Sequence, residues 1–564
     1  MIPSLVQKKD NSLLITEDTL RLFQVVHHEQ NKEDKVNDDE AKIRVSELIS
    51  KMAFYYEKIR NSFDYEEDYL LRKNAIKRII KRQIVIEGVL QIKNEADEVA
   101  KHLMLELIRA GYLPNNEIPE TVIDDITFIL EKYIKLRNNI IEEIDWSSHI
   151  KSVNVVRARD ALQEQNRISN WLISIMACEI EETLGEDQIK ETVINNMYDS
   201  LTADIKLPRD MESYKDDLDV QIYLGIYRNF MKYDTEMQSF ILFKYFNAHW
   251  DKARDEDINK IAKNIYKLQD AINEQLEHSL HRQLNKIINR YTVYFSILED
   301  VITQDPDRAY NNISDDDAFA LLIKEACKIK YQKIKIKLRR AAIRSIIYIL
   351  LSKSIFVLLF EIPVIKFFGG QDEIIPLIIN VSFPAFLLFL VSVFTKSPGE
   401  DNTNKIIKGI KEVVYRAYKK DPFFLRQPTE RGKVISFILG FIYSATFFLS
   451  FGLVIWGLDK VGFHWVSIVV FLFFLAFVSF FSIRIRKGTR EIIVIETKEN
   501  IVKFLVDFFY IPIIVVGKYL SEKFSRFSPF IFILDFIIES PFKIIVQITE
   551  EWTKYVKEKK EEVN

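Results

Sequence analysis

The strongest arrangement of metal-ligand side chains in the sequence is Glu274, His278 and His281, which are separated by four and three residues. On an α-helix this spacing places one carboxylate and two imidazoles on one face, as in many zinc sites. However, His278 is two residues from both Leu276 and Leu280, which puts it about 200° around the helix from each. We therefore interpret the three side chains as a solvated polar face and predict no metal site.

Two sets of carboxylates could also do chemistry. The first set clusters at a predicted helix end without a histidine at matching spacing, so we interpret it as solvated charge; it consists of Glu179, Glu181, Glu182, Glu186 and Asp187. The acids around Asp305 and Asp315 lack the glycine and terminal glutamate of a calcium loop and predict helix N-caps instead. No catalytic residue is assigned from the sequence.

Cysteine and glycine usage exclude several classes of site. Cys178 and Cys327 are the only cysteines, which excludes a disulfide framework, a zinc ribbon and a CxxC redox motif. Residues 1–330 contain four glycines, too few and too scattered for a phosphate-binding loop or a dinucleotide fingerprint. We predict no cofactor and see no sign of nucleic-acid binding.

Charge divides the chain into two unlike parts. Residues 1–330 contain 45 Lys and Arg against 60 Asp and Glu, whereas residues 331–564 contain 33 against 21 and also hold long uncharged runs. An acidic part followed by a basic, Phe-rich part is typical of a soluble domain fused to a membrane domain. The sequence therefore predicts an all-α protein with a helical bundle domain followed by transmembrane helices.

Within the acidic part, residues 1–41 are predicted to be a tail and solvated connector, and residues 42–330 a cytoplasmic helical domain. Residues 258–298 lack Gly and Pro and carry one apolar stripe with a mean spacing of about 3.6 residues. This pattern predicts a single straight helix roughly 60 Å long. We interpret it as a core helix of the bundle, with a homo-oligomer seam as the alternative.

Four hydrophobic runs within residues 331–490 predict membrane spans, at 345–360, 375–394, 434–458 and 461–483. Basic residues concentrate before the first run, in the loop 396–433 and after the fourth run. The positive-inside rule then places both termini in the cytoplasm of a multi-pass protein of the cytoplasmic (inner) membrane. The alternating segment 333–338 resembles a strand, but its surroundings favour a helix that enters the bilayer.

Two basic segments are predicted to contact anionic lipids. Residues 403–420 form a basic amphipathic helix that would lie flat on the cytoplasmic surface, and the other segment precedes the first span. The alternative is contact with the acidic domain instead of lipid. The residues assigned to this role are Lys335, Lys337, Arg339, Arg340, Arg344, Lys405, Lys408, Lys411 and Arg416.

Residues 491–564 combine apolar stretches with polar stripes. Asp535 and Glu539 would each be costly in mid-bilayer, so we predict amphipathic interfacial helices and a charged tail; the alternative is a span that hides its polar stripe against protein. Lys353 is the intramembrane polar residue of the predicted spans. We expect it either to be paired within the protein or to extend its ammonium toward the interface.

Several segments in both parts of the chain resemble an uncharacterised family of polytopic membrane proteins from small-genome, uncultivated bacteria. The segments include AFYYEKIRNSFDYEEDYLLRKNAIKRIIKR (53–82), SKSIFVLLFEIP (352–363), FPAFLLFLVS (383–392), PGEDNT (398–403), IRIRKGTREIIVIETKE (483–499) and FLVDFFYIPIIVVGKYLSEKFSRFSPFIFILDFIIESPFK (504–543). The resemblance implies a bacterial membrane protein and carries no activity or site residue with it.

Three classes of function are compatible with this sequence. A membrane-anchored scaffold or sensor is favoured, since it explains the large helical domain and the lack of a catalytic constellation. A transporter or channel is the alternative, with Lys353 as its best residue. A membrane-surface enzyme that uses carboxylates is the third, and would require acidic side chains to meet in one pocket.

Overall fold

The computed structural model confirms the all-α fold: about 85% of it is helical, with almost no strand. It describes residues 15–526, together with scattered helical positions between 548 and 560. Within residues 15–526 the exceptions are 34–40, 62–67, 87–94, 150–154, 186, 369–373, 396–397, 416–421, 429–431 and 496–500.

The described helices are numbered in chain order. They are α1 (Glu17–Glu33), α2 (Glu47–Asn61), α3 (Asp68–Ile86), α4 (Glu95–Arg109), α5 (Thr121–His149), α6 (Val155–Leu184), α7 (Gln188–Asp204), α8 (Lys215–Asn229), α9 (Thr235–Phe246), α10 (Asp255–Lys263), α11 (Ile265–Leu276), α12 (His281–Gln304), α13 (Pro306–Asn312), α14 (Asp316–Phe356), α15 (Ile362–Phe367), α16 (Ile374–Phe394), α17 (Glu400–Val414), α18 (Lys433–Lys460), α19 (Trp465–Glu491) and α20 (Ile501–Arg526). Short 3-10 helices occupy Arg209–Tyr214 and Trp250–Lys252, and a π-helical turn occupies Val357–Glu361. Strands β1 (Ile205–Lys206) and β2 (Phe423–Phe424) pair in parallel.

The chain divides into two compact units, which are described separately. One unit contains residues 24–288, 422–425 and 529–564 and is called the bundle unit; the other contains 1–23, 289–421 and 426–528 and is called the membrane unit. In the bundle unit, helices α3 to α6 and α9 pack around one apolar core. Aspartates cap α7 and α9, where the carboxylates of Asp187 and Asp234 accept backbone N–H bonds.

Helices α10, α11 and α12 replace the single long helix predicted over residues 258–298, so that prediction is wrong. Asn264 follows α10, and its side-chain amide donates to the Lys260 carbonyl (2.9 Å). Beyond α11, His278 Nδ1 accepts from the Leu280 N–H at 3.4 Å. Side chains that bond the nearby backbone compete with helix propagation, and α10 packs on α5 whereas α11 packs on α9. Self-association through this segment stays a prediction.

In the described part of the chain, five helical segments are long and apolar enough to cross a membrane, where four were predicted; they are Asp316–Phe367, Ile374–Phe394, Lys433–Lys460, Trp465–Glu491 and Phe504–Lys523. They indicate a membrane protein. The fifth lies in α20, part of the stretch 491–564 that was predicted to be interfacial because of Asp535 and Glu539, two residues that lie outside the described part of the chain. In the structure Asp507 and Lys518 are exposed near the ends of the apolar stretch, and α20 packs against α18 and α19.

Close packing holds α20 against α19. A Cβ atom placed on Gly517 of α20 would lie 1.9 Å from the carbonyl oxygen of Ala476 in α19. Only glycine therefore permits this approach of the two backbones, the kind of contact that small residues provide between membrane helices.

Candidate functional site

The first membrane-crossing helix carries a buried stripe with an unusual period. From residue 345 to 365 the buried positions recur every four residues and alternate between polar and apolar; they are Ser345, Ile349, Lys353, Val357, Glu361 and Ile365. In a regular α-helix each four-residue step turns about 40° too far, so such a stripe would drift away from the protein interior. An underwound segment is needed to keep these side chains on one face.

The π-helical turn Val357–Glu361 supplies this underwinding. The N–H of Ile362 donates to the carbonyl of Val357, five residues earlier, and Pro363 has no N–H with which to continue the α-helical pattern. Lys353 and Glu361 are eight residues apart, which would place them about 80° apart on an α-helix. The π turn reduces this angle, and both side chains are buried.

Lys353 has an aromatic neighbour and, in the described part of the chain, no hydrogen-bond acceptor. Its side chain is 0% exposed, and its Nζ lies 3.9 Å from the centroid of the Phe474 ring of α19. This is a cation–π arrangement, which is strongest where water is absent. Among the described residues, no atom accepts a hydrogen bond from Lys353 Nζ.

Glu361 meets Asn380 of α16. Glu361 is 1% exposed and Asn380 is 0% exposed, and Asn380 Nδ2 donates to Glu361 Oε1 at 2.5 Å. Within the described part of the chain, the other two oxygens, Glu361 Oε2 and Asn380 Oδ1, have no hydrogen-bond partner. We call Lys353, Glu361 and Asn380 the buried polar cluster. Buried polar groups in membrane helices are costly and usually functional.

The sequence analysis identified only one member of this cluster. Lys353 was singled out, whereas Glu361 was overlooked because it follows the hydrophobic run 345–360, and Asn380 because it is neutral. A usable signal was present, since Lys353 and Glu361 are two four-residue steps apart in one hydrophobic segment. The Pro363 break that allows both to be buried is also visible in the sequence.

A separate cavity in the membrane unit is almost entirely apolar. Its volume is about 400 Å³, and its lining includes Phe383, Leu387, Leu453, Gly457, Phe471 and Ile513. No member of the buried polar cluster lines it. The cluster is thus enclosed by protein rather than placed along this cavity.

Most, but not all, of the basic residues predicted to contact lipids are exposed in the structure. Arg416 lies outside the described residues, and the others along α14 and in α17 are exposed except Lys411. Lys411 Nζ lies 2.7 Å from Asp316 Oδ2, so protein satisfies its charge. The apolar face of α17 is also covered by protein, because a Cβ on Gly409 would meet the Tyr294 ring. That face is therefore closed to lipid, and lipid contact by the exposed cations stays a prediction.

The histidine trio does not form a solvated face as predicted. His278 is largely buried, with Nε2 3.5 Å from Asp217 Oδ2, because the loop between α11 and α12 changes the helical phase. His281 pairs with Asn285 at 2.7 Å, and burial lowers the pKa of its imidazole. No group of three His, Cys, Asp or Glu side chains suited to a metal occurs among the residues that the structure describes.

Two carboxylates predicted to be solvated lie inside the bundle unit, so that interpretation is wrong for them. Glu179 accepts from Lys132 Nζ (2.8 Å) and from Trp250 Nε1 (2.7 Å). Glu181 forms a bidentate pair with Arg72, and burial raises the pKa of its carboxyl even though the guanidinium opposes this. Both acids have structural partners that an ordinary charged surface would not provide.

A second feature missed in the sequence is a clamp made by Asn402, which is 2% exposed at the start of α17. Its Nδ2 donates to the Ile492 carbonyl (2.9 Å) and to Tyr331 Oη of α14 (3.0 Å), and its Oδ1 accepts from the Val494 N–H (2.8 Å). We call this the Asn402 clamp. It ties the end of α19 to α14.

Comparison with protein-family models, with curated proteins and with solved structures finds no match for this chain. The assignment to a bacterium and to a particular membrane stays a prediction.

Proposed function

We propose that this protein is a membrane-anchored scaffold or sensor, in which the membrane unit responds at the buried polar cluster. The observation that carries the proposal is the enclosure of Lys353, Glu361 and Asn380, none of which is more than 1% exposed. A transport path requires polar residues that line a route to water, whereas an enclosed charge that changes its partners can bias a conformation.

One helix connects the cluster to the Asn402 clamp. Lys353 and Tyr331 both belong to α14 and are separated by 22 residues, or about 33 Å of continuous helix. A shift of α14 at Lys353 would therefore move Tyr331 relative to Asn402. Helix α14 therefore connects the buried polar cluster, in the apolar part of the membrane unit, to the Asn402 clamp in its basic part.

In this proposal the membrane is the cytoplasmic membrane, and the bundle unit is the cytoplasmic surface that binds partners. Its buried charges are matched to one another, as in the Lys132–Glu179 pair, which supports a structural rather than a catalytic role. A transporter is the second candidate, because the same cluster could hold a carried ion.

Hydrogen exchange on the full-length protein in nanodiscs tests the sensor. We expect Lys353→Leu to accelerate amide exchange at Val494 several-fold, while Lys518→Leu, which alters an exposed lysine of α20, leaves it unchanged. Ion flux into proteoliposomes is measured in parallel. If Lys353→Leu leaves amide exchange at Val494 unchanged but abolishes ion flux, the transporter is supported and the sensor is wrong.

A further inference from the structure

The contact between Glu361 and Asn380 has the form of half of a carboxylic acid–amide pair. A protonated carboxyl and a primary amide join through two hydrogen bonds, one from the amide N–H to one acid oxygen and one from the acid O–H to the amide oxygen. The first bond is present, from Asn380 Nδ2 to Glu361 Oε1 at 2.5 Å. The two oxygens that the second bond would join are the two without a partner in the described residues, Glu361 Oε2 and Asn380 Oδ1.

We propose that Glu361 and Asn380 form a proton-binding site, and that Glu361 carries a proton on Oε2 in this conformation. One proton there would satisfy both unpartnered oxygens by a single hydrogen bond. The reverse orientation of the Asn380 amide also requires a proton, in that case between Glu361 Oε1 and Asn380 Oδ1, because it would bring these two oxygens to 2.5 Å, the length of an O–H···O bond. The ligand of the site is therefore a hydrogen ion.

The position of Lys353 supports a neutral Glu361. A charged carboxylate eight residues away on the same buried face would attract the ammonium strongly where water is excluded. Lys353 Nζ instead lies over the Phe474 ring and has no oxygen acceptor among the described residues. This choice of partner is expected when the carboxyl carries no charge.

Among the residues that the structure describes, few other charges lie on the helices that pack around this pair. α16 carries no ionisable side chain, and α19 carries none between Trp465 and Ile483. α15 contributes only Lys366, and the ends of α18 and α19 add Asp459, Lys460 and His464 near the turn between them. Lys353 and Glu361 are thus the only oppositely charged groups buried in these packed segments.

Loss of the proton changes the site in a defined way. The Oε2–H bond breaks, the proton passes to water, and the acid–amide pair loses its second hydrogen bond. The carboxylate then attracts the Lys353 ammonium away from Phe474. The proton is then the input of the proposed sensor. This role rests on the proposed function, whereas the proton site itself can be tested alone.

Infrared spectroscopy of the full-length protein in nanodiscs tests the protonation directly. We expect a carbonyl band of a protonated carboxylic acid that disappears in Glu361→Gln, shifts in Asn380→Leu and is lost as pH is raised. Glu361→Gln keeps an amide in place of the acid and so preserves the first hydrogen bond and the fold. Glu522→Gln, at an exposed acid of α20, is the matched control and should leave the band unchanged.

The outcomes separate the two proposals. The proton site is overturned if Glu361 gives no protonated-acid band at any pH at which the protein remains folded. This conclusion holds whatever the exchange measurement at Val494 shows. If the band is present and is lost with rising pH while the protection factor of the Val494 amide does not change over the same pH range, the proton site stands and the sensor is overturned.

Discussion

At the scale of single residues, Lys353 is a buried lysine in a membrane-crossing helix. A lysine near the centre of a membrane helix costs about 2.5–3.5 kcal/mol on insertion scales, and a cation–π contact with Phe474 offsets about 2 kcal/mol of this when desolvated. On balance, the buried Lys353 side chain therefore lowers the stability of the protein.

Replacement of Lys353 by leucine should therefore stabilise the protein. We expect Lys353→Leu to raise the free energy of unfolding by about 1 kcal/mol, because it removes a buried ammonium without an acceptor. Thermal unfolding in detergent measures the effect, with Lys518→Leu as the exposed control. A lower unfolding temperature for Lys353→Leu alone would mean that the ammonium has a stabilising partner.

In the bundle unit, replacement of Glu179 should lower the stability, whereas Lys353→Leu should raise it. Glu179→Ala leaves the buried Lys132 ammonium without its carboxylate and should cost about 3–5 kcal/mol of stability. Asp255→Ala breaks the exposed Lys135–Asp255 pair and should cost less than about 1 kcal/mol. Unfolding monitored by circular dichroism compares the two, and equal losses would contradict a buried pair at Glu179.

At the scale of elements, three helices of the bundle unit meet in one ion network. Lys73 and Lys77 of α3 pair with Glu236 of α9, and Ser174 of α6 also donates to Glu236. Burial alone would raise the pKa of the Glu236 carboxyl, but the two lysines lower it to about 2. The folded pKa thus lies below the ordinary glutamate value.

This shift fixes the direction of the acid response. A carboxyl with a lowered folded pKa contributes stability above its unfolded pKa, and that contribution is lost as pH falls toward about 2. We expect the wild-type protein to lose stability between about pH 4.5 and 2. The Glu236→Gln variant should be less stable than the wild type at pH 7. Its stability should also depend less on pH between about pH 4.5 and 2. An unchanged acid profile in Glu236→Gln would contradict the network.

The contact between α19 and α20 gives a second test at this scale. Gly517→Ala places a methyl group against the Ala476 backbone, which cannot yield as a side chain would, and should cost about 1–3 kcal/mol or more. Gly440→Ala in α18 has nothing within 4 Å and should be neutral or slightly stabilising. Thermal unfolding compares the two variants, and equal stabilities would mean that the helices are not in contact at Gly517.

The sequence predicted helix type far better than helix ends and partners. Apolar periodicity identified the helices and the first four spans, because it reflects burial along one element. It failed at Asn264 and His278, where local side-chain bonds end a helix that propensity would continue. It also missed the π turn, because underwinding follows from Pro363 and from packing on α16 and α19.

At the scale of the whole molecule, the fifth apolar helix changes the expected topology. Four spans leave both termini on one side, whereas a fifth crossing places the end of α20 opposite the end of α19. We expect cysteines at Glu522 and Lys460 to react with an impermeant reagent from outside, and one at Lys487 to be protected. The native Cys178 and Cys327 are buried and should not contribute. Protection at Glu522 would restore the interfacial interpretation of α20.

The contacts of the buried polar cluster can form at different times during synthesis. Glu361 and Asn380 lie on consecutive helices, so their pair can form as soon as the first helical hairpin enters the membrane. Phe474 is translated about 120 residues after Lys353, which at 5–20 residues per second is a delay of about 6–24 s. During that interval the Lys353 ammonium lacks its aromatic neighbour, so a nascent chain stalled before Phe474 should be a preferred substrate for membrane quality-control proteases.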